Sequence, residues 1–144
     1  MVIRKCEKKD IEEVIRIENK SFDHPYPDEV FHDYLSSDLF LVAEEREESS
    51  EWGITGYVIG KEKGDRGMVI SIAVSPSHRF EGIGTRLLET VRKRMNVGHL
   101  FVTVRPSNKG AIQFYKKLGF VMAGKIKDYY QNGEDGMVME RRKR

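Results

Sequence analysis

A single cysteine, Cys6, stands among 144 residues. A disulfide within the chain is therefore excluded, and so is a metal site built on cysteines. The four histidines, His24, His32, His78 and His99, follow no ligand spacing, so no metal centre is expected. Long apolar runs are missing too, since nothing approaches the ~20 residues that a membrane helix requires. Arg4, Lys5, Glu7, Lys8, Lys9 and Asp10 interrupt any leader-like stretch at the start. The chain reads as a soluble, cytoplasmic protein that contacts no membrane. An excess of one charge is absent as well: 25 basic against 23 acidic residues leave a net charge of +2. That balance gives no general pull toward nucleic acid. The basic end, Arg141-Arg142-Lys143-Arg144, reads as a solvated tail. The sequence also has no G-x-S-x-G elbow and no Gly-Lys-Ser/Thr of a Walker loop.

What is present fits one globular domain over residues 1–144. The length is enough for a single core, and 39% hydrophobic with 10% aromatic residues can fill it. Val2 to Cys6 reads as a first strand. Asp10 is expected to cap a helix whose inner side carries Ile11, Val14, Ile15 and Ile17. A loop rich in proline and aromatics follows, Phe22-Asp23-His24-Pro25-Tyr26-Pro27, stiffened where each proline fixes φ. Asp28 is expected to cap a second helix with Val30, Phe31, Tyr34 and Leu35 inward. Asp38 to Glu44 and Trp52 to Glu62 read as antiparallel strands joined by the polar turn Glu45 to Glu51. A turn at Lys63 to Gly67 leads into the strand Val69 to Val74.

That strand opens the stretch around which the chain is organised, Met68 to Glu89. After it come a Ser-Pro-Ser turn, the loop Arg79-Phe80-Glu81-Gly82-Ile83-Gly84, and a helix with Leu87, Leu88 and Val91 on one side. Strand, glycine loop and helix N-terminus in this order make an anion site, because orphan N–H groups and the positive helix end converge. Further on, His99 to Arg105 forms a strand that Pro106 ends. Ser107 or Asn108 starts a short helix carrying Ala111, Ile112, Phe114, Tyr115 and Leu118, closed by Gly119. Phe120 to Ile126 and Gly136 to Glu140 are the last strands, joined through Tyr129-Tyr130. The order β-α-α-β-β-β-α-β-α-β-β describes a mixed α/β (α+β) fold with neighbouring antiparallel strands and crossover helices.

The combination of a strand ending I-A-V, an R-x-x-G-x-G loop opening a helix, a strand ending V-R-x-S-N and a helix A-I-x-F-Y-x-x-L-G-F resembles the GNAT superfamily, the acyl-CoA-dependent N-acyltransferases. The proline-aromatic loop, the Tyr129-Tyr130 pair and the ending G-E-D-G-M-V-M are similar to the RimI-type and NatA-catalytic-subunit branch, which acetylates protein α-amino groups. The resemblance implies a mixed, mostly antiparallel central sheet, acetyl-CoA as donor and CoA as product. It implies that the backbone of Ile72, Ala73 and Val74 pairs with the pantetheine arm. It also implies that amides of Arg79, Phe80, Glu81, Gly82, Ile83, Gly84 and Thr85 hold the pyrophosphate, with charge added by Arg79. Asn108 would bind the cofactor arm near the sulfur, and Tyr115 would protonate the departing thiolate. Phe22, Tyr26, Tyr129 and Tyr130 would flank the first residues of a protein or peptide substrate. The resemblance leaves room for an auxiliary, ribosome-associated subunit.

The proton balance suits Tyr115: a thiolate of pKa about 8.5 and a tyrosine near 10 make the transfer cost only about 2 kcal/mol. One position departs from the family pattern. Where many relatives carry a glutamate or histidine as base, this chain has Thr103, which cannot serve. An α-amine, about 10% neutral at pH 7, needs a base less than a lysine, about 0.04% neutral there. Ser71 and Glu29 are further candidates for the base. Two other readings stay open. One keeps the chemistry on a polyamine, small amine or lysine, recruited by Asp23, Asp28, Glu134 and Asp135. The other is a CoA-binding interaction subunit without turnover.

Overall fold

A computed structural model describes residues 1–46, 52–79 and 81–142. The elements run β1 (Val2–Lys5), α1 (Ile11–Ser21), α2 (Asp28–Asp33), β2 (Phe40–Arg46), β3 (Trp52–Lys63), β4 (Arg66–Val74), α3 (Ile83–Arg94), β5 (His99–Val104), α4 (Lys109–Lys117), β6 (Val121–Ile126) and β7 (Gly136–Arg142). This is the order expected from the sequence. The sheet has seven strands in the order β1-β2-β3-β4-β5-β7-β6. It is mostly antiparallel, with β4 and β5 parallel in the register Arg66↔His99 to Val69↔Val102. The parallel pair follows from the α3 crossover between them, which reverses the chain direction twice.

The chain divides into two compact units, residues 1–60 with 71–95, and residues 61–70 with 96–144. In the first, the rings of Phe31, Phe40 and Tyr57 meet with centroids 6.0 to 6.5 Å apart. Leu41, Val42, Ile83, Leu87, Leu88 and Val91 are buried with them. Cys6 is buried as expected, and burial pushes its thiol up to about 12. In the second unit the core gathers Leu100, Val102, Val104, Tyr115, Phe120 and Met139.

Three expectations are corrected. Asp10 precedes α1, yet its side chain caps nothing there. Its carboxylate instead takes two hydrogen bonds from Arg4, at 2.8 and 3.0 Å, and one from the Glu7 N–H at 2.8 Å. A 3₁₀ turn over Lys8–Asp10 intervenes and turns the side chain toward β1. Asp28 is the first residue of α2 and not its cap, because Val30 donates to the carbonyl of Pro27 at 3.1 Å. Proline at that position has no N–H to lose, and its φ of −59° suits a helix entry. Arg141 is not part of a solvated tail: it lies in β7, donates to the Leu118 carbonyl at 2.8 Å and rests over the Phe120 ring. The tail residues 143 and 144, Phe80 and the turn at 47–51 lie outside the described residues.

Candidate active site

Residues 71–94, the end of β4 with the loop and α3 that follow, belong to the first unit. Ile72 and Ala73 are buried on β4, and Ser75 N–H donates to the Thr55 carbonyl at 2.7 Å, tying the strand's exit to β3. Pro76–His78 form one 3₁₀ turn. Gly82 then stands as N-cap of α3 at φ 79° and ψ 8°, the left-handed region in which a β-carbon is unfavourable. The first intrahelical bond runs from Arg86 N–H to the Gly82 carbonyl, and no side chain caps the helix. Among the described residues nothing accepts from the N–H groups of Ile83, Gly84 and Thr85, which open a twelve-residue helix. A β-carbon at Gly82 would meet nothing within 4 Å among the described residues. Such a terminus suits a pyrophosphate. Arg79 turns back from the loop, its Nε donating to the Val74 carbonyl and its Nη2 to Ser21 Oγ, both at 3.2 Å.

The proline-aromatic loop is attached to this same unit. Tyr26 is 41% exposed, Phe22 is half-buried, and the Tyr26 N–H donates to Glu18 Oε2 at 2.9 Å. Glu18 itself is 2% exposed. Its Oε1 accepts from Tyr57 Oη and, at 2.9 Å, from Ser71 Oγ. Sequence reading missed this residue, although the signal exists. Glu18 falls seven residues after Ile11 and four after Val14, a carboxylate on the apolar stripe of α1. Ser71, weighed as a base, is buried in this network, while Glu29 is exposed.

The second unit carries the other expected residues. Asn108 caps α4 by accepting from Ala111 N–H at 3.1 Å, as anticipated. Tyr115 is 4% exposed, its ring meeting Phe114 and Phe120 edge-on at 5.2 Å each. Thr103 lies on β5 opposite Val138. Its carbonyl accepts from Tyr130 Oη at 3.2 Å, which holds that ring beside the strand end. Tyr129 is 50% exposed and meets Tyr130 edge-on at 4.9 Å. Gly136 makes that placement possible, because a β-carbon there would lie 2.9 Å from Tyr129 Cγ and 2.8 Å from Thr103 Cγ2.

Arg105 organises this corner and was not anticipated. Its guanidinium carbon sits 3.9 Å from the Tyr130 ring centroid, while Nη1 donates to Asn132 Oδ1 at 2.7 Å and to Glu134 Oε1 at 3.3 Å. Hydrogen bonds from Asn132 and Ser107 hold the Glu134 carboxyl down at about 2. Asp135 accepts from Asp128 N–H at 2.9 Å and pairs with Lys125. Among the described residues no group of three or more histidine, cysteine or acidic side chains is placed to hold a metal. None of the described helices is long and apolar enough to cross a membrane.

Residues 10–120 match the acetyltransferase (GNAT) family, a span that runs through both units. The chain is 34% identical over 99% of its length to an uncharacterized N-acetyltransferase of Methanocaldococcus jannaschii, of which it covers 92%. It is also 34% identical to an N-alpha-acetyltransferase of Sulfurisphaera tokodaii, over 95% of this chain and 90% of that one. Among solved structures it is similar to Ard1 from Thermoplasma volcanium, with a TM-score of 0.82, 28% identity and coverage of 98% and 96% of the two chains. The chain belongs to the acetyltransferase (GNAT) family. It is an acetyltransferase that uses acetyl-CoA as its co-substrate.

Proposed function

We propose that residues 1–144 act as one N-acetyltransferase domain that moves acetyl from acetyl-CoA to the N-terminal α-amine of proteins or peptides. The observation that carries the donor side is Gly82 in the left-handed region at the head of α3. It leaves the amides of Ile83, Gly84 and Thr85 for the pyrophosphate, and the family resemblance assigns the amides of Arg79, Phe80 and Glu81 to the same group. The backbone of Ile72, Ala73 and Val74 takes the pantetheine arm, and Asn108 binds it near the sulfur. On the acceptor side, Phe22, Tyr26, Tyr129 and Tyr130 flank the first residues of the peptide. The named N-alpha-acetyltransferases that this chain resembles support an α-amine as acceptor.

In the reaction the amine nitrogen attacks the thioester carbonyl, forming the N–C bond as the C–S bond breaks. Tyr115 gives its phenolic proton to the leaving sulfur, the amine nitrogen releases one proton to solvent, and Tyr115 regains one from solvent, so that the products are the amide and CoA thiol. The apolar setting of Phe114 and Phe120 around Tyr115 keeps water from competing for the thiolate. With Thr103 in place of an acidic or imidazole base, the reaction draws on the fraction of α-amine already neutral near pH 7.

The polyamine reading loses part of its support. Glu134 is bonded to Arg105, Asn132 and the Ser107 N–H, and Asp135 to Asp128 N–H and Lys125, so two of the four acidic residues already have partners. Mass analysis of a peptide library and free polyamines, each incubated with the purified chain and acetyl-CoA, tests the proposal. Acetylation at peptide α-amines is expected; acetylation confined to the small amines overturns it.

A further inference from the structure

Glu18 is the most deeply buried carboxylate of the described chain, and the chemistry above does not use it. Its two oxygens face different parts of the first unit. Oε1 serves the sheet, through Tyr57 Oη on β3 and Ser71 Oγ on β4, whose oxygens lie 3.0 Å from each other. Oε2 serves the loop, through the Tyr26 N–H. Tyr26 stands between Pro25 and Pro27, which have no N–H. Residues 25–27 therefore offer one backbone donor, and Glu18 takes it. Tyr26 itself is 41% exposed. The loop's main chain is tied to a buried carboxylate that is itself bonded to two strands.

We propose that Glu18 is a positioning residue for the acceptor: its carboxylate bridges Tyr57 and Ser71 to the Tyr26 amide and so sets where the first residues of the peptide dock. The proposal rests on the reading of Tyr26 as an acceptor-side residue. A position needed for packing alone would be filled as well by leucine, since a buried carboxyl and two hydroxyls are costly to bury unless each finds its partner. Glutamine separates bridging from charge. Its carbonyl accepts from the Tyr26 N–H while its NH₂ donates to the two hydroxyls.

The test joins steady-state kinetics on the full chain, with acetyl-CoA and an unacetylated peptide, to hydrogen exchange at the Tyr26 amide followed by NMR. In Glu18→Leu the peptide KM rises roughly tenfold and Tyr26 exchange accelerates by a similar factor, as for one lost hydrogen bond, while the acetyl-CoA KM stays within about twofold. Glu18→Gln restores the peptide KM and the exchange rate to within about threefold of the parent. The proposal is overturned if both KM values rise together, if glutamine does not rescue, or if Tyr26 exchange is unchanged in Glu18→Leu. Should Glu18→Leu not fold, Tyr57→Phe and Ser71→Ala each remove one sheet-side donor. Faster Tyr26 exchange in both supports the bridge, and no change in either overturns it. If the parent chain acetylates no peptide, the α-amine reading fails by itself, and the Tyr26 exchange rates still decide whether Glu18 holds the loop.

Discussion

The guanidinium of Arg105, just past the end of β5, lies over the ring of Tyr130 at 3.9 Å, while the hydroxyl of that ring donates to the carbonyl of Thr103, two residues earlier on β5. The tyrosine is thereby held at both ends by the close of β5. Arg105 also reaches Asn132 and Glu134, and Glu134 returns a bond to the Ser107 N–H at 3.4 Å. One arginine thus fixes the 128–135 loop and the tyrosine pair it carries.

Replacing Arg105 tests that relationship. Arg105→Lys keeps a charge but loses the planar face that stacks and the fork that reaches Asn132 and Glu134 together. A cation–π contact of this kind contributes about 0.5–2 kcal/mol, with the lost hydrogen bonds adding to it. The peptide KM is expected to rise roughly tenfold in Arg105→Ala and less in Arg105→Lys, with the acetyl-CoA KM unchanged in both. An unaltered peptide KM in the alanine variant would show that the loop finds its place without Arg105.

Tyr115→Phe removes one oxygen from a ring that Phe114 and Phe120 already hold. Packing is conserved, so the variant should fold and bind acetyl-CoA as the parent does. Loss of a general acid lowers kcat by about 10²-fold or more. Stopped thiol-detection assays of CoA release, paired with calorimetric titration of acetyl-CoA, give the two quantities. Turnover unchanged from the parent would remove Tyr115 from the chemistry, whereas turnover lost with binding intact rules out the reading of the chain as a CoA-binding subunit without activity.

Gly82→Ala probes the donor side. There is space for a methyl group, since nothing lies within 4 Å, but φ of 79° places alanine in a region it rarely adopts. The strain of about 1–2 kcal/mol is expected to lower Tm by a few degrees and raise the acetyl-CoA KM, leaving the peptide KM alone. A thermal melt and the two Michaelis constants check this. Equal effects on both constants would mean that the loop conformation matters for more than the donor.

The order of elements was legible because its signals are local. Gly119 follows α4 at φ 92° as its closing residue, Asn108 caps the same helix, and the alternation in β5 buries Leu100, Val102 and Val104. What the sequence concealed depends on long-range pairing. Asp10 looked like a cap because aspartate before an apolar stripe usually is one, but Arg4, six residues earlier, competes for it more strongly than the helix N-terminus does. Glu18 and Arg105 find their partners up to 53 and 29 residues away, distances that no periodicity encodes. The expected tyrosine pair divides in the same way: the sequence shows two adjacent rings, and only the fold shows that Tyr130 is fixed to Thr103 while Tyr129 is exposed.

The Arg4–Asp10 pair makes stability depend on acid. Burial pushes the Asp10 carboxyl up, but the hydrogen bonds from Arg4 and the Glu7 N–H outweigh it and leave the group below its ordinary value. A carboxyl whose folded value is lowered binds fewer protons folded than unfolded, so its contribution is complete above the ordinary carboxylate range of about 4 and is lost as pH falls through the folded value. The Asp10 side chain is only 6% exposed, and solvent screens the pair little. Asp10→Asn keeps an acceptor for Glu7 but leaves Arg4 without its anionic partner there, and it is expected to cost about 2 kcal/mol or more at pH 7. Chemical denaturation of both proteins between pH 7 and pH 2 measures the difference. The gap should be constant down to about pH 5 and close below it as the parent's own carboxyl takes up its proton. A gap that stays constant to pH 2 would mean that the lost stability does not come from the charge of Asp10, and the absence of a gap at pH 7 would mean that the ion pair contributes nothing beyond the hydrogen bonds asparagine keeps.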